Sequence, residues 1–171
     1  ASPRVFKAVS KPHSWEAYIG FVEEAVAVFG QRRVHVHLIV GLGETGEELL
    51  RCMEHLYDLG AEVALFAFTP VKGTPLEDRP QPPLAYYRAA QVARYALSKR
   101  LNPREYVEPF KDLLRIKSGV KLEEFKEAFL TSGCPGCNRP FYNERPGLTY
   151  NYPSRSLLER EWDRVLSQVG S

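Results

Sequence analysis

The chain has 171 residues, which is the size of about one domain. Its composition, with 44% apolar and 26% charged residues, is typical of a folded protein rather than a disordered tail. A net charge of only +2 excludes the strongly basic footprint of a nucleic-acid binder. No apolar run approaches the about 18 residues of a membrane span, and we expect neither a targeting segment nor a membrane partner. Three cysteines are too few for a disulfide scaffold, so we expect a reducing, cytoplasmic compartment.

Helices and strands are predicted to alternate through the first hundred residues. The predicted elements are a helix from a Ser14 cap to Gly30, a strand over Val34–Val40, a helix from a Thr45–Glu48 capping box to Gly60, a strand over Glu62–Phe68 and a helix over Leu84–Arg100. The short connections predict right-handed parallel crossovers. Two parallel strands are too few for a sheet buried on both faces, so we expect a partner or the rest of a barrel to supply more.

The alternation weakens after residue 100. Lys111–Ile116 is compatible with a strand or a short helix, Leu122–Leu130 predicts a helix, and Leu157–Val169 predicts one terminal helix. We therefore expect two regions, an α/β region over residues 1–110 and a loop-rich extension over residues 111–171.

The first strand carries two histidines on one side. Val34, Val36, Leu38 and Val40 alternate with His35, His37, Ile39 and Gly41, and the aliphatic side should face the helices. Histidines on the other side are either hydrogen-bonded core residues or ligand-facing groups. Their position before the carboxyl end of the strand favours the second interpretation, because active sites of α/β barrels lie at that end.

Two motifs follow the predicted strands. His37–Thr45 runs from a strand through a glycine turn into a capped helix, where a ligand could approach the backbone. The spacing is not that of a dinucleotide-binding loop, and an ordinary capped turn remains the alternative. The second motif, Phe66–Glu77, runs from the aromatic end of a strand into a loop rich in proline and glycine. An aromatic strand end suits a flat heteroaromatic ligand such as adenine. The alternative is that these aromatic residues belong to the core and are followed by an ordinary turn.

A C-x-x-C motif lies in the second region. Cys134 and Cys137 flank a proline and a glycine, so that their thiolates can converge on one metal. The pair supplies half of a four-ligand site, and a structural zinc site or a redox dithiol remain alternatives. The chain has no second C-x-x-C, and Cys52 lies within a predicted helix.

The motifs together resemble those of radical S-adenosylmethionine enzymes. The sequences H-L-I-V-G-L-G-E-T (37–45) and F-T-P-V-K-G-T-P-L-E (68–77) look like the fifth- and sixth-strand signatures of that superfamily, in its biotin synthase and lipoyl synthase group. The fifth-strand pattern G-x-I-x-G-x-x-E is matched at Ile39, Gly41 and Glu44, with His37 in place of the first glycine. T-S-G-C-P-G-C-N-R-P-F-Y-N-E (131–144) resembles the C-terminal segment of the archaeal-type, two-component lipoyl synthases.

The resemblance implies a fold and a set of site residues. The fold would be the C-terminal half of a radical S-adenosylmethionine barrel, a partial TIM-type barrel, followed by the loop-rich extension. S-adenosylmethionine would contact His37, Ile39, Gly41, Glu44, Phe68 and Pro70. Cys134 and Cys137 would ligate an auxiliary iron–sulfur cluster, which in lipoyl synthases is the sulfur donor. No residue of this chain is assigned as catalytic in itself.

One part of the family pattern is missing. The C-x-x-x-C-x-x-C triplet that binds the radical-generating [4Fe-4S] cluster is absent, so the chain should be inactive alone. The resemblance therefore implies a missing N-terminal half or a second radical S-adenosylmethionine subunit as partner. It also implies an octanoylated carrier protein as substrate and an electron donor such as ferredoxin or flavodoxin. The alternatives are another biotin synthase-like enzyme or a non-catalytic, zinc-stabilised binding module.

Overall fold

A computed structural model describes residues 2–133, 137 and 148–169, and it shows a mixed α/β architecture. The helices are α1 (Pro3–Ala8), α2 (Trp15–Phe29), α3 (Gly46–Asp58), α4 (Leu84–Ser98), α5 (Arg155–Arg160) and α6 (Trp162–Val169), with 3-10 segments at Pro103–Glu105 and Leu122–Phe129. The strands are β1 (His35–Val40), β2 (Glu62–Ala67), β3 (Val107–Phe110) and β4 (Leu113–Ile116). None of the helices described is long and apolar enough to cross a membrane.

Strands β1 and β2 pair in parallel, as the alternation of helices and strands predicts. The register sets Val36 beside Val63 and Leu38 beside Leu65, and these side chains are buried on one face of the sheet. No third strand pairs with either one among the described residues, and these residues form no closed barrel. The partial barrel implied by the resemblance stays a prediction, because the described residues supply only these two parallel strands.

The local signals at the helix ends are confirmed. The Ser14 hydroxyl accepts the Ala17 N–H at the start of α2, and α2 ends at Gly30 with φ of +93°. In α3, the Thr45 hydroxyl accepts the Glu48 N–H at 3.1 Å, and the Glu48 carboxylate accepts the Thr45 N–H at 2.8 Å. Both bonds satisfy N–H groups that a helix start leaves open.

The core lies between the sheet and the helices. Helix α4 contributes a row of fully buried small residues, Ala89, Ala90, Ala93 and Ala96. Small side chains allow neighbouring elements to approach closely, and α4 packs against β2, α3, α6 and the hairpin of β3 and β4. The helix therefore joins the sheet to the C-terminal region within one core.

Of the two alternatives predicted for Lys111–Ile116, the strand is the one that forms, whereas the terminal helix differs from its prediction. Leu113–Ile116 forms an antiparallel hairpin with β3, and Lys111 turns the hairpin with φ of +53°. The predicted boundary between residues 110 and 111 thus falls in the turn of this hairpin. The single terminal helix predicted over Leu157–Val169 was wrong: α5 begins after a Ser154 cap and the helix is interrupted at Glu161, whose carboxylate accepts a hydrogen bond from the Tyr152 hydroxyl.

Candidate functional site

We call the face of the sheet opposite the core the open face, and it carries His35, His37 and Ile39 of β1 and Glu62, Ala64 and Phe66 of β2. His37 and Ile39 are exposed on β1, and their register partners on β2 are Ala64 and Phe66. The rings of His37 and Phe66 lie 5.0 Å apart between centroids. The predicted separation of the strand into an aliphatic core side and a histidine-bearing side is therefore confirmed.

The turn after β1 is organised by Glu44. Its Oε1 accepts the Gly41 N–H at 2.6 Å and the Tyr86 hydroxyl at 3.1 Å. The side chain is only 6% exposed, and its other oxygen, Oε2, is buried with no hydrogen-bond partner among the described residues. A buried carboxylate oxygen without a donor is unusual, because desolvation costs free energy unless a hydrogen bond compensates it.

The two glycines of this turn make room for the proline-rich loop. Gly41 has φ of +100°, and a Cβ there would lie 2.9 Å from Cδ of Pro82. Gly43 has φ of +103°, and a Cβ there would lie 3.0 Å from Nη1 of Arg79. Pro82 and Arg79 therefore occupy the space that the two glycines leave beside the backbone, in addition to any ligand that binds at the turn.

The end of β2 leads into the loop that the sequence singles out. Phe68 is buried, and Pro70 is half-buried just beyond it. The loop is stiffened by its own hydrogen bonds, including one at 2.6 Å from the Gly73 N–H to the Glu77 carboxylate. The strand ends bring Gly41 and Phe68 to the same edge of the sheet, where the Phe68 N–H donates to the Val40 carbonyl at 2.8 Å.

The residues before the C-x-x-C motif lie against β2. The Ser132 hydroxyl accepts the Leu65 N–H of β2 at 3.1 Å. A Cβ on Gly133 would lie 3.5 Å from Cβ of Ala64. The Ala64 side chain projects on the side of the sheet that carries His37, because the two residues are register partners. Ser132 therefore lies beside the outer edge of β2, because the N–H groups of Glu62 and Phe68 are the ones that point to β1, and Gly133 lies on the side of the open face.

Both ends of the segment that contains the motif meet at one point. The Thr131 N–H donates to the Tyr152 carbonyl at 2.9 Å, and the Tyr152 N–H donates to the Phe129 carbonyl at 2.9 Å. These bonds form a short parallel bridge between residues 130 and 152. The described residues on the two sides of the motif are thus joined at Leu130 and Tyr152.

A buried arginine of α4 supports this junction. The Arg88 guanidinium is fully buried and donates to the carbonyls of Thr149, at 2.6 Å, and Tyr150, at 2.5 Å. It also lies between the rings of Phe129 and Tyr152, 5.5 Å from each centroid. Cation–π contacts and charge-assisted hydrogen bonds are strong in a buried setting, so Arg88 holds the chain at Thr149 and Tyr150 against α4.

The cysteines differ in their surroundings. Cys137 is half-buried, whereas Cys134 lies outside the described residues. Cys52 is buried in α3, and burial raises the pKa of its thiol to about 11, which keeps it protonated and unreactive. Across residues 2–133, 137 and 148–169, no three histidine, cysteine or acidic side chains are grouped as a metal site.

The structure groups most of the predicted site residues but adds partners that the sequence did not indicate. Ile39, Gly41, Glu44, Phe68 and Pro70 lie at or near the strand ends, and His37 shares the face of Ile39. Tyr86, Ser132 and Arg88 were not predicted. Helical periodicity marks Tyr86 and Arg88 only as α4 residues, and a single serine carries no spacing signal.

Comparison of the chain with protein-family models, curated proteins and solved structures finds no match.

Proposed function

We propose that the chain is the C-terminal part of a radical S-adenosylmethionine enzyme that inserts sulfur, of the lipoyl synthase kind. One observation carries the proposal: Gly133, which precedes the C-x-x-C motif, lies against Ala64 on the side of the open face. Sulfur insertion needs the radical source and the sulfur donor on the same side of the sheet, because both must reach one carbon of the substrate. The position of Gly133 beside Ala64 supports the proposal.

The strand ends offer a surface that fits S-adenosylmethionine. Ile39 is 41% exposed and Phe66 is half-buried, so an apolar ring can lie on them. The buried Oε2 of Glu44 is an acceptor that still lacks a donor among the described residues. Apolar walls with a few polar groups are typical of small-molecule sites. The residues that would hold the cofactor are His37, Ile39, Gly41, Glu44, Phe68 and Pro70.

The C-x-x-C motif fits an iron–sulfur cluster in its ligand chemistry. Cys134 and Cys137 supply two thiolates, the ligands that such clusters prefer. When bound, S-adenosylmethionine with its reduced [4Fe-4S] cluster supplies a carbon radical for hydrogen abstraction, and the auxiliary cluster supplies the sulfur. The chain itself orients these groups and excludes water, as proteins do around reactive cofactors.

The proposed partners would supply the cluster-binding triplet and the further strands that this sequence does not contain. The radical-generating cluster would come from an N-terminal half or a second subunit that carries C-x-x-x-C-x-x-C. That partner would also supply the further strands of the partial barrel, since β1 and β2 have no third strand beside them among the described residues. The substrate would be an octanoylated carrier protein, and ferredoxin or flavodoxin would deliver electrons.

The metal site is tested by three cysteine variants of the full chain. Cys134→Ala and Cys137→Ala should lose most of the iron and sulfide taken up on anaerobic reconstitution. The control Cys52→Ala should retain them, because Cys52 is buried in α3 away from the motif. Equal iron content in all of these proteins, or binding of zinc without iron, would show that the motif is not an iron–sulfur site.

The reaction is tested with the assembled enzyme. Once the chain is combined with its C-x-x-x-C-x-x-C partner, Cys134→Ala and Cys137→Ala should still permit cleavage of S-adenosylmethionine but should abolish sulfur insertion. Sulfur insertion by either variant at the wild-type rate would contradict the proposed role of the motif.

A further inference from the structure

Helix α2 exposes large apolar side chains along its length. Apart from three glutamates and Gly20, every residue of α2 is apolar or aromatic, yet only Val22 and Val26 are buried. Phe21 is 67% exposed and Val28 is 76% exposed. A helix that is apolar on nearly all sides is normally buried on nearly all sides, so the described part of the chain covers less of α2 than its composition predicts.

The exposed apolar residues lie on one side of the helix. Phe21 and Val28 are seven residues apart, which is close to two full turns, and the exposed Ala17 precedes Phe21 by about one turn. We call these three residues the outer face of α2. Beside the first turn of the helix lies a cavity of about 390 Å³, which is lined by His13, Ala17, Tyr18 and Phe21. The outer face therefore combines exposed apolar side chains with a recess that an apolar side chain can fill.

The charge beside this face is acidic. Glu24 follows Phe21 by three residues and precedes Val28 by four, so it is a neighbour of both on the helix surface. Glu24 is exposed, and α2 carries no lysine or arginine beside it. The other two acidic residues of the helix, Glu16 and Glu23, are also exposed. The outer face is thus an apolar surface flanked by negative charge.

This charge discriminates between the occupants of an apolar helix face. In a symmetric dimer the same patch meets itself, so Glu24 of both copies would enter one interface without a basic residue of α2 to neutralise them. Helices that lie in a membrane interface carry lysine and arginine on the polar side, where α2 carries glutamates. A helix whose apolar face is flanked by lysine or arginine is complementary, as in paired helices with flanking charges of opposite sign.

We infer that the outer face of α2 binds an amphipathic helix of another polypeptide, whose apolar side chains pack against Phe21 and Val28 and whose lysine or arginine pairs with Glu24. The inference does not rest on the proposed function, since it involves neither the C-x-x-C motif nor the residues assigned to S-adenosylmethionine. It gives α2 a role in recognition in addition to its contribution to the core through Val22 and Val26.

The test measures the binding of the full chain to two synthetic amphipathic helical peptides by fluorescence anisotropy. The peptides share a face of leucine and alanine, and their flanking positions are lysine in one and glutamate in the other. At low salt the lysine peptide should bind about 10-fold more tightly or better, and Phe21→Ser and Val28→Ser should each weaken its binding about 10-fold. Both residues are exposed, so both variants should unfold at the same urea concentration as the wild type.

Reversal of a single charge provides the matched control. Glu24→Lys should make the chain prefer the glutamate peptide. Glu23→Lys makes the same change in net charge, but Glu23 lies on the other side of the helix, two positions after Phe21, so the preference should stay with the lysine peptide. A preference that Glu23→Lys also reverses would show general charge attraction rather than a defined face, and it would overturn the inference.

Two further measurements decide between this occupant and the others. Light scattering should give the same molar mass for the wild type and Phe21→Ser, whereas a dimer that this substitution dissociates would assign the face to a second copy of the chain. Cosedimentation with phosphatidylcholine vesicles that Phe21→Ser abolishes would assign it to a lipid surface. Either result, or binding of the lysine peptide that is unchanged in Phe21→Ser, would overturn the inference.

Discussion

The Tyr86 hydroxyl donates a hydrogen bond to Glu44 across 3.1 Å and thereby ties α4 to the turn that follows β1. The same carboxylate oxygen accepts the Gly41 N–H, so one side chain fixes both the strand end and the helix. Burial, together with the nearby Glu44 carboxylate, raises the pKa of Tyr86, which keeps the phenol protonated and able to donate. The carboxylate expected to contact the cofactor is therefore also part of the fold.

Removing this hydroxyl should destabilise the chain. Tyr86→Phe leaves the buried Glu44 carboxylate with one hydrogen bond fewer, and we expect the free energy of unfolding to fall by about 1–3 kcal/mol. Urea denaturation measures the change. Tyr95→Phe is the matched control on α4, since the Tyr95 hydroxyl makes no hydrogen bond within the described residues, and its effect should be small. Equal effects of the two substitutions would contradict the role given to the Tyr86 bond.

Gly41 should be far less tolerant of alanine than Gly73. Both have positive φ, +100° and +81°, so alanine is strained at either position. A Cβ at Gly41 would also approach Cδ of Pro82 to 2.9 Å, whereas Gly73 has no atom within 4 Å of that position. We expect Gly41→Ala to cost about 1–3 kcal/mol more in thermal or urea unfolding than Gly73→Ala. Similar losses would show that the proline-rich loop moves aside without cost.

The sequence predicted the α/β alternation because its signals are local. Ser14, Gly30 and the Thr45–Glu48 pair act within one helical turn, and the alternation of Val36 and Leu38 with the histidines reports burial directly. These signals need no knowledge of distant residues. They were sufficient to identify β1, β2 and the helices α2 and α3 beside them.

The remaining features depend on contacts between distant residues. The bond from the Leu65 N–H to Ser132 spans 67 residues, and the bonds of Arg88 to the chain around Tyr150 span about 60. Periodicity within a window of 11–18 residues cannot detect such pairs. The interruption of the terminal helix at Glu161 is not marked by a helix-breaking residue either, and the Glu161 carboxylate accepts a hydrogen bond from the Tyr152 hydroxyl nine residues earlier.

Acid should weaken the start of α3. The Arg4 guanidinium, with the Thr45 N–H, lowers the pKa of Glu48 from 4.5 to about 2. A carboxyl group whose pKa is lower in the folded state contributes stability above pH 4.5 and loses that contribution as the pH falls from about 4.5 to about 2. Stability measured across this window should decline less steeply in Glu48→Gln than in the wild type.

The partner residue supplies the control for this pH dependence. Arg4→Met should also flatten the decline, because it removes the main cause of the lowered pKa. The double variant should resemble the single ones, since both remove the same interaction. An unchanged slope in either single variant would assign the acid sensitivity to other carboxylates.

Arg88 should be essential for the stability of residues 148–169. Arg88→Met leaves the carbonyls of Thr149 and Tyr150 without their guanidinium donors, and we expect a loss of about 3 kcal/mol or more. Arg88→Lys should recover little, because lysine lacks the planar fork that reaches both carbonyls. Limited proteolysis should then cut first within residues 148–169. Arg33→Met, at an exposed position, is the control and should leave the cleavage pattern unchanged.

Ser132 should connect β2 to the proposed metal site. Ser132→Ala removes the acceptor of the Leu65 N–H, and we expect a small loss of stability, about 1 kcal/mol, with the fold retained. Because this bond attaches the residues before Cys134 to β2, iron bound by the proposed site should also be lost to a chelator faster than from the wild type. Ser132→Thr keeps a hydroxyl at the same atom position and should restore slow release. If Ser132→Ala retains its iron as long as Ser132→Thr does, attachment to β2 does not position the C-x-x-C motif.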